Sequence, residues 1–355
     1  MADDLNDTVT EDAPVTFDEY SLYQTYAPGI DASSKYMRIV MYVLGYPGNL
    51  VAFLVWIKKP MLQSSGIYLA TLALSDLIFL SLDLPYSLQT DWDIYPLNYP
   101  IICEGFTVIY MAAQNMSPLL TLAFTTERYI AIKFPLKRRI YCTVKRAICT
   151  SVCITLTSLA LCGIQGYFWA YDAEFEECSR RGGTDDLWES WTWCTEMIMF
   201  LGIPVLILTL NLLVIGEIRK ARKIARKLNR ILFKTTITTA LLLSVSTFFI
   251  LTTLPVSIVY ALYDSYPPGS DFKNIENDVT WQAHFRYYKA RTIIYNIGRT
   301  HFFMNPYIYF MGGKKFRRAV INVLTCRKSQ MSLRSRRRSD TTCTKLDSLY
   351  SSDIQ

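Results

Sequence analysis

Histidine occurs only twice in this chain of 355 residues. No set of cysteine, histidine and acidic residues shows metal-site spacing, and no nucleophile stands beside a base in a pattern that suggests covalent catalysis. These shortages argue against an enzyme, a zinc protein and a bound cofactor. Charge is scarce too: 19% of residues are charged, against about 25% in ordinary soluble domains. Residues 39–57, 105–126, 147–168, 197–216 and 235–263 hold no Asp, Glu, Lys or Arg at all. Residues 1–30 lack a basic stretch followed by an apolar core, so a cleavable signal peptide is not expected. The chain also shows no internal repeat of the kind that many membrane transporters carry.

What is present is apolar length. A helix rises about 1.5 Å per residue and the hydrocarbon layer is roughly 30 Å thick, so about 20 apolar residues make one crossing. The five uncharged runs qualify, and two more segments qualify despite internal charge: 67–86 with Asp76 and Asp83, and 292–311 with Arg299. Seven crossings result. Helices are the expected form, because hydrocarbon offers no water to unpaired backbone groups and each helix satisfies its own. The predicted fold class is an all-α membrane protein, a seven-helix bundle.

Basic residues set the orientation. Lys58 and Lys59 follow the first helix, six basic residues from Lys133 to Arg146 follow the third, and seven from Arg219 to Arg230 follow the fifth. Lys and Arg near helix ends favour the cytoplasm, so these loops and the C-terminus are expected inside and the N-terminus outside. Residues 1–36 are acidic, with eight acids against Lys35. The net charge of +7 is thus an average over two unlike surfaces and does not point to nucleic acid. Asn6-Asp7-Thr8 is a glycosylation sequon on the outer side, whereas Asn115-Met116-Ser117 falls inside the third helix and should be unmodified.

The predicted organisation is an acidic outer tail over 1–34, disordered until something binds, a membrane domain over 35–313, a surface helix over 314–326 and a cytoplasmic Ser/Thr/Arg-rich tail over 327–355. Lys314 onward places Phe316, Ala319, Val320 and Val323 opposite the charges, which suits a helix lying on the inner bilayer surface. Cys326 at its end is a palmitoylation candidate, an unmodified thiol being the alternative. The connection 169–193 is acidic, and Gly182-Gly183 reads as a hairpin turn between two arms. The connection 264–289 is longer than a link needs, which suggests either an ordered functional loop or disorder. Cys142, Cys149, Cys153 and Cys162 read as small apolar helix residues.

Motifs then fall in order on these helices. Gly48-Asn49-Leu50-Val51 lies on the first, Leu74-Ser75-Asp76 on the second and Cys103 at the outer start of the third, with Glu127-Arg128-Tyr129 at its inner end. Pro135-Leu136 follow, then Pro204, Pro255 and Asn305-Pro306-Tyr307-Ile308-Tyr309 before Phe316. Over residues 36–326 the chain resembles the rhodopsin-like (class A) G-protein-coupled receptors. Within them it is similar to invertebrate neuropeptide receptors of the FMRFamide and thyrotropin-releasing-hormone-like group. The resemblance implies a plasma-membrane receptor that binds an extracellular peptide and activates heterotrimeric G proteins, with arrestin as a further partner. Chemosensory or other small-molecule reception on the same fold is the alternative.

The resemblance also implies roles for residues. Glu127, Arg128, Tyr129, Pro135 and Leu136 would serve G-protein coupling, with Arg128 held by Glu127 at rest. Asp76, Ser117, Asn305, Pro306, Tyr309, Pro255 and Phe249 would form the activation switch. Asp76 marks a sodium and water network in the family, but His301 and Phe302 replace its usual small polar residues, which leaves sodium a weak candidate beside a protonation or water role. A disulfide between Cys103 and Cys178 is implied; both lie on the oxidising side, as Cys194 also does, which leaves three cysteines there and an odd count.

Departures from the family pattern are visible. Thr253 stands two before Pro255 where a Trp is usual, Leu212 replaces a Tyr, and Lys234-Thr235 lacks the acid that restrains Arg128. In the pocket, Tyr110 replaces the Asp of amine receptors, and Arg299 replaces the retinal-binding Lys of opsins. A guanidinium stays protonated and cannot form that Schiff base. Asp83, Tyr110, Gln114, Tyr260, Arg291, Tyr295 and Arg299 are expected around the ligand, plain interhelical packing being the alternative for the tyrosines. Tyrosines beneath an acidic rim suit a cationic, aromatic peptide. Asp83 and Arg299, on neighbouring helices at similar depth, are expected to pair, because a lone charge in a membrane helix costs about 2.5–3.5 kcal/mol. In the tail, Ser339, Thr341, Thr342 and Thr344 after Arg336-Arg337-Arg338 are phosphorylation candidates for arrestin.

Overall fold

The computed structural model describes residues 19–59, 61–227, 233–270 and 275–325. Helix one spans Ile30–Trp56, helix two Ser64–Trp92, helix three Ile102–Lys133 and helix four Val144–Cys162, with a further turn at Gln165–Phe168. Helix five runs from Asp185–Met197 through a π turn, Ile198–Gly202, into Ile203–Lys227. Helix six is Phe233–Ala261, and helix seven is Val279–Arg299 continued by His301–Gly312. Helices one, two, four, five and six are each long and apolar enough to cross a membrane by length and composition. Helix three, whose uncharged run is diluted by Gln114 and Asn115, and the two-part helix seven, with Arg299 inside it, complete the bundle.

Helix three touches helices two, four, five and six, and helix seven closes the ring against helix one. Local chemistry explains the ends. The Thr143 hydroxyl accepts the Arg146 N–H at the start of helix four, and Asp278 accepts the Thr280 N–H at 2.7 Å at the start of helix seven, so each cap satisfies a donor that lacks a helical partner. Gly298 is forced by packing. A Cβ there would lie 2.5 Å from the Val256 side chain, so helices six and seven could not approach as they do. The largest apolar cluster joins Leu69, Leu72, Leu120, Phe124, Leu242 and Tyr309 at the end of the bundle that holds Arg128.

A short helix, Lys314–Leu324, follows helix seven and buries Phe316 and Val320 against that cluster. Phe316 packs 5.3 Å from Trp56, ring to ring. Its apolar face matches the residues expected from the sequence, with Ala319 and Val323 at the margin.

Three sequence expectations change. The N-terminal tail is not unstructured throughout: Glu19–Tyr26 is a helix whose Leu22, Tyr23 and Tyr26 pack on Trp281 and Phe285 of helix seven. Leu22 and Tyr26 stand four apart, so one face is apolar and can dock despite the acids elsewhere in the segment. The hairpin turn is also displaced. Strands β1 (Trp169–Asp172) and β2 (Glu177–Arg180) pair antiparallel, and the chain reverses over 173–176, before the two glycines. Asp172 drives that reversal by accepting the Glu174 N–H at 2.8 Å, a side-chain turn of the kind Asp favours. Gly183, with φ of 77°, instead leads into helix five. Finally, much of the expected 264–289 connection is helical, because Trp281, Phe285 and Tyr287 find partners that hold helix seven well beyond the hydrocarbon length.

Two cavities and a buried arginine

Cys103 at the start of helix three and Cys178 on β2 form a disulfide, with Cα atoms 5.6 Å apart. Cys194 is a free, exposed thiol, as are Cys149 and Cys153, while Cys162 is buried and receives a hydrogen bond from Asn115 at 3.3 Å. The disulfide pins the hairpin to the start of helix three. Glu104 assists by accepting the Tyr171 N–H at 3.3 Å.

Between helices two, three, five, six and seven lies a cavity of about 400 Å³. Five residues expected at the ligand line it: Tyr110, Gln114, Tyr260, Tyr295 and Arg299. Arg291 does not; it lines a second cavity of about 330 Å³ between helices one, two and seven, under the N-terminal helix. Arg299 and Tyr295 belong to both cavities. The guanidinium of Arg291 sits over the rings of Tyr263, Tyr287 and Tyr288, between 5.3 and 5.8 Å from their centroids.

Asp83 is fully buried but does not pair with Arg299. Its two carboxylate oxygens accept the hydroxyls of Tyr110 at 2.9 Å and Tyr42 at 2.8 Å. No ion pair within 4.0 Å joins it to Arg299. The two phenols satisfy the carboxylate at short range, so the expected salt bridge is not needed for its solvation. The ion pair in this region is Arg38–Asp91, at 3.2 Å and largely buried.

Sequence reasoning missed several lining residues. Glu196 is the sole carboxylate among the residues around the main cavity, and Thr192, Met197 and Phe200 share its helix. Thr192, Glu196 and Phe200 are spaced at four, so one face of helix five points inward, and the π turn from Ile198 widens the coil just there. The signal was available: Glu196 is the last charge before the uncharged run 197–216. His301 also lines the cavity, edge-on to Phe249 with ring centroids 5.1 Å apart.

At mid-bundle Asn305 donates to Asp76 at 3.0 Å, and Ser117 is buried. The other Asp76 oxygen lacks a hydrogen-bond partner. No group of three or more His, Cys, Asp or Glu side chains able to hold a metal stands together among the described residues. Asp76 would therefore hold a cation with a single anionic ligand, while His301 and Phe302 line the main cavity. Pro306 lacks the N–H that would bond the Phe302 carbonyl, and the Asn49 side chain donates to that carbonyl at 2.8 Å instead. This substitution ties helix one to helix seven where helix seven is weakest. Pro255 lies within helix six, and Phe249 is buried against Ile207 of helix five. Tyr309 is buried, its hydroxyl unpaired.

At the far end Arg128 is buried on helix three and pairs with Glu127 at 2.5 Å. Ser64 at the start of helix two donates to the other Glu127 oxygen. Tyr129 caps the ammonium of Lys133, and Pro135 and Leu136 stand in the exposed loop that follows. The Asn6 sequon, Cys326 and the Ser/Thr tail lie outside the described residues.

The pattern of the 7 transmembrane receptor (rhodopsin family) matches residues 48–309, and the chain belongs to that family. It is a G-protein-coupled receptor by fold and family, a multi-pass membrane protein and not an enzyme. Curated relatives include growth hormone secretagogue receptor type 1 of Mus musculus, 26% identical over 81% of this chain and 79% of the relative. The FMRFamide receptor of Drosophila melanogaster is 26% identical over 81% of this chain and 52% of its own length. Neuromedin-U receptor 2 of Rattus norvegicus is 30% identical over 31% of this chain and 28% of its own.

Proposed function

We propose that the chain is a plasma-membrane receptor with its N-terminus outside, which takes the end of a small neuropeptide into the 400 Å³ cavity. That volume lies in the range of about 300–1,000 Å³ typical of ligand cavities. It suits a few side chains of a peptide whose remainder rests on the hairpin and the N-terminal helix. The observation that carries the reading is the lining: aromatic hydroxyls, Gln114 and charged groups, with a disulfide-pinned acidic loop at the start of helix three, in a chain whose relatives include receptors named for FMRFamide and neuromedin-U. Arg128, with Glu127, Tyr129, Pro135 and Leu136, is the surface offered to the G protein. Asp76, Asn305, Pro306 and Tyr309 form the switch between the two ends. Asn6 is a glycosylation site, Cys326 a palmitoylation site and the Ser/Thr tail an arrestin site.

Calcium and cyclic AMP readouts in transfected cells test the reading against a panel of amidated peptides that includes Phe-Met-Arg-Phe-amide. Activation by one or more peptides, lost in Tyr110→Ala at equal surface expression, is the expected result. Silence to every peptide together with a response to a small metabolite would overturn it.

A further inference from the structure

Glu196 has no counter-ion among the described residues. It lines the main cavity from helix five, yet it forms no hydrogen bond or ion pair with any described residue. Arg299, the other charged residue of that lining, does not pair with it. A carboxylate at the edge of hydrocarbon depth is costly unless paired or hydrated. Packing does not account for it, since Met197 and Phe200 supply the apolar surface beside it. Two phenol rings, Tyr260 and Tyr295, line the same cavity and lie within electrostatic reach of the carboxylate. An acid with aromatic faces nearby favours a guanidinium or ammonium, through an ion pair and cation–π contact together. A metal ion is a poor match, because no group of three or more acidic, histidine or cysteine side chains that could hold one exists among the described residues.

We propose that Glu196 is the residue that selects a basic side chain in the ligand, and that the ligand places an arginine-like or lysine-like group against helix five. The inference rests on the peptide reading above and sharpens it to a ligand with an obligatory cation in the buried end. Arg299, on helix seven, then meets a carbonyl or amide oxygen of the same segment, so the cavity reads ligand direction by charge.

The test uses the purified full-length receptor in lipid nanodiscs, Nα-acetylated arginine amide as the probe and Nα-acetylated citrulline amide as its neutral isostere. A ligand that binds only the folded state raises the melting temperature by mass action. The arginine probe should raise the melting temperature of the unchanged receptor, and the citrulline isostere at equal ionic strength should not. In Glu196→Gln the apparent affinity for the arginine probe should fall at least tenfold, and the ligand-free variant should melt at the same temperature as the parent or higher. Three results would overturn the proposal: equal stabilisation of Glu196→Gln by the arginine probe, equal effects of the two amides on the parent, or failure of both Glu196→Gln and Glu196→Leu to fold. The assay needs no active peptide. A positive result with every peptide silent and a small metabolite active would retain the cation site and discard the peptide reading; the reverse pattern would discard the site alone.

Discussion

The Ser246 hydroxyl on helix six donates to the Asn211 side-chain oxygen on helix five at 3.0 Å, in the buried layer beside Arg128. Lys234-Thr235 lacks the acid expected to restrain Arg128, and the Ser246–Asn211 bond joins helices five and six near that residue. Ser246 shares its proton with the Leu242 carbonyl, also at 3.0 Å, so the contact is worth on the order of 1 kcal/mol. Ser246→Ala should therefore raise ligand-free nucleotide exchange about five-fold. Unchanged basal exchange at equal expression would remove this bond from the resting-state restraints.

Arg128→Ala should abolish nucleotide exchange while leaving surface expression and most ligand binding intact. Glu127→Gln should act oppositely and raise basal exchange, since the ion pair at 2.5 Å holds Arg128 in place. Full signalling by Arg128→Ala would sink the coupling assignment.

Asp83 hydrogen-bonds Tyr110 and Tyr42, and its attraction to Arg299 acts without a contact ion pair. Asp83→Asn should cost about 1–3 kcal/mol of stability, because one phenol loses its charged acceptor. The exchange Asp83→Arg with Arg299→Asp should give no rescue. A double-mutant cycle of Asp83→Asn with Tyr110→Phe should be non-additive by about 0.5–3 kcal/mol. Rescue by the exchange, read as melting temperature and surface expression, would restore the direct ion pair as the main contact.

Tyr23 of the N-terminal helix stacks on Tyr288 with centroids 4.4 Å apart and shares a hydrogen bond with His284 at 2.9 Å. Tyr23→Ala should release the helix from the second cavity. Hydrogen exchange over 22–26 should accelerate while helices three and six stay protected. Retained protection would assign the docking to Leu22 and Tyr26 alone.

Loss of the Cys103–Cys178 bond should cost about 2–5 kcal/mol, and cell-surface yield should fall in Cys103→Ser and Cys178→Ser alike. Cys194→Ser should match the parent, since that thiol is free and exposed. A comparable loss in Cys194→Ser would contradict the pairing.

Membrane passage was legible because hydrocarbon admits so few solutions. An uncharged run of about 20 residues has one stable form there, and proline and asparagine in order on such runs point to one bundle. The docked N-terminal helix was hidden, because its apolar residues are few and find a partner only in Trp281 and Phe285, more than 250 positions away. The hairpin turn was misplaced because two glycines outweigh one aspartate by composition, while the geometry of the turn rests on the Asp172 side chain.

The sequence alone therefore determined the class, the number of crossings and the residues at the Arg128 end, where motif and helix coincide. Tertiary structure alone decided which charges meet. Asp83 and Arg299 looked like partners on two neighbouring helices, yet two tyrosine hydroxyls at 2.8 and 2.9 Å reach the carboxylate first. Glu196 carried no expectation from the sequence, yet helix five turns it inward and leaves it without a counter-ion among the described residues. Pairing of buried charge depends on distances of a few ångströms between separate helices, because hydrogen bonds weaken steeply beyond contact. A one-dimensional pattern fixes depth along each helix but not rotation about its axis.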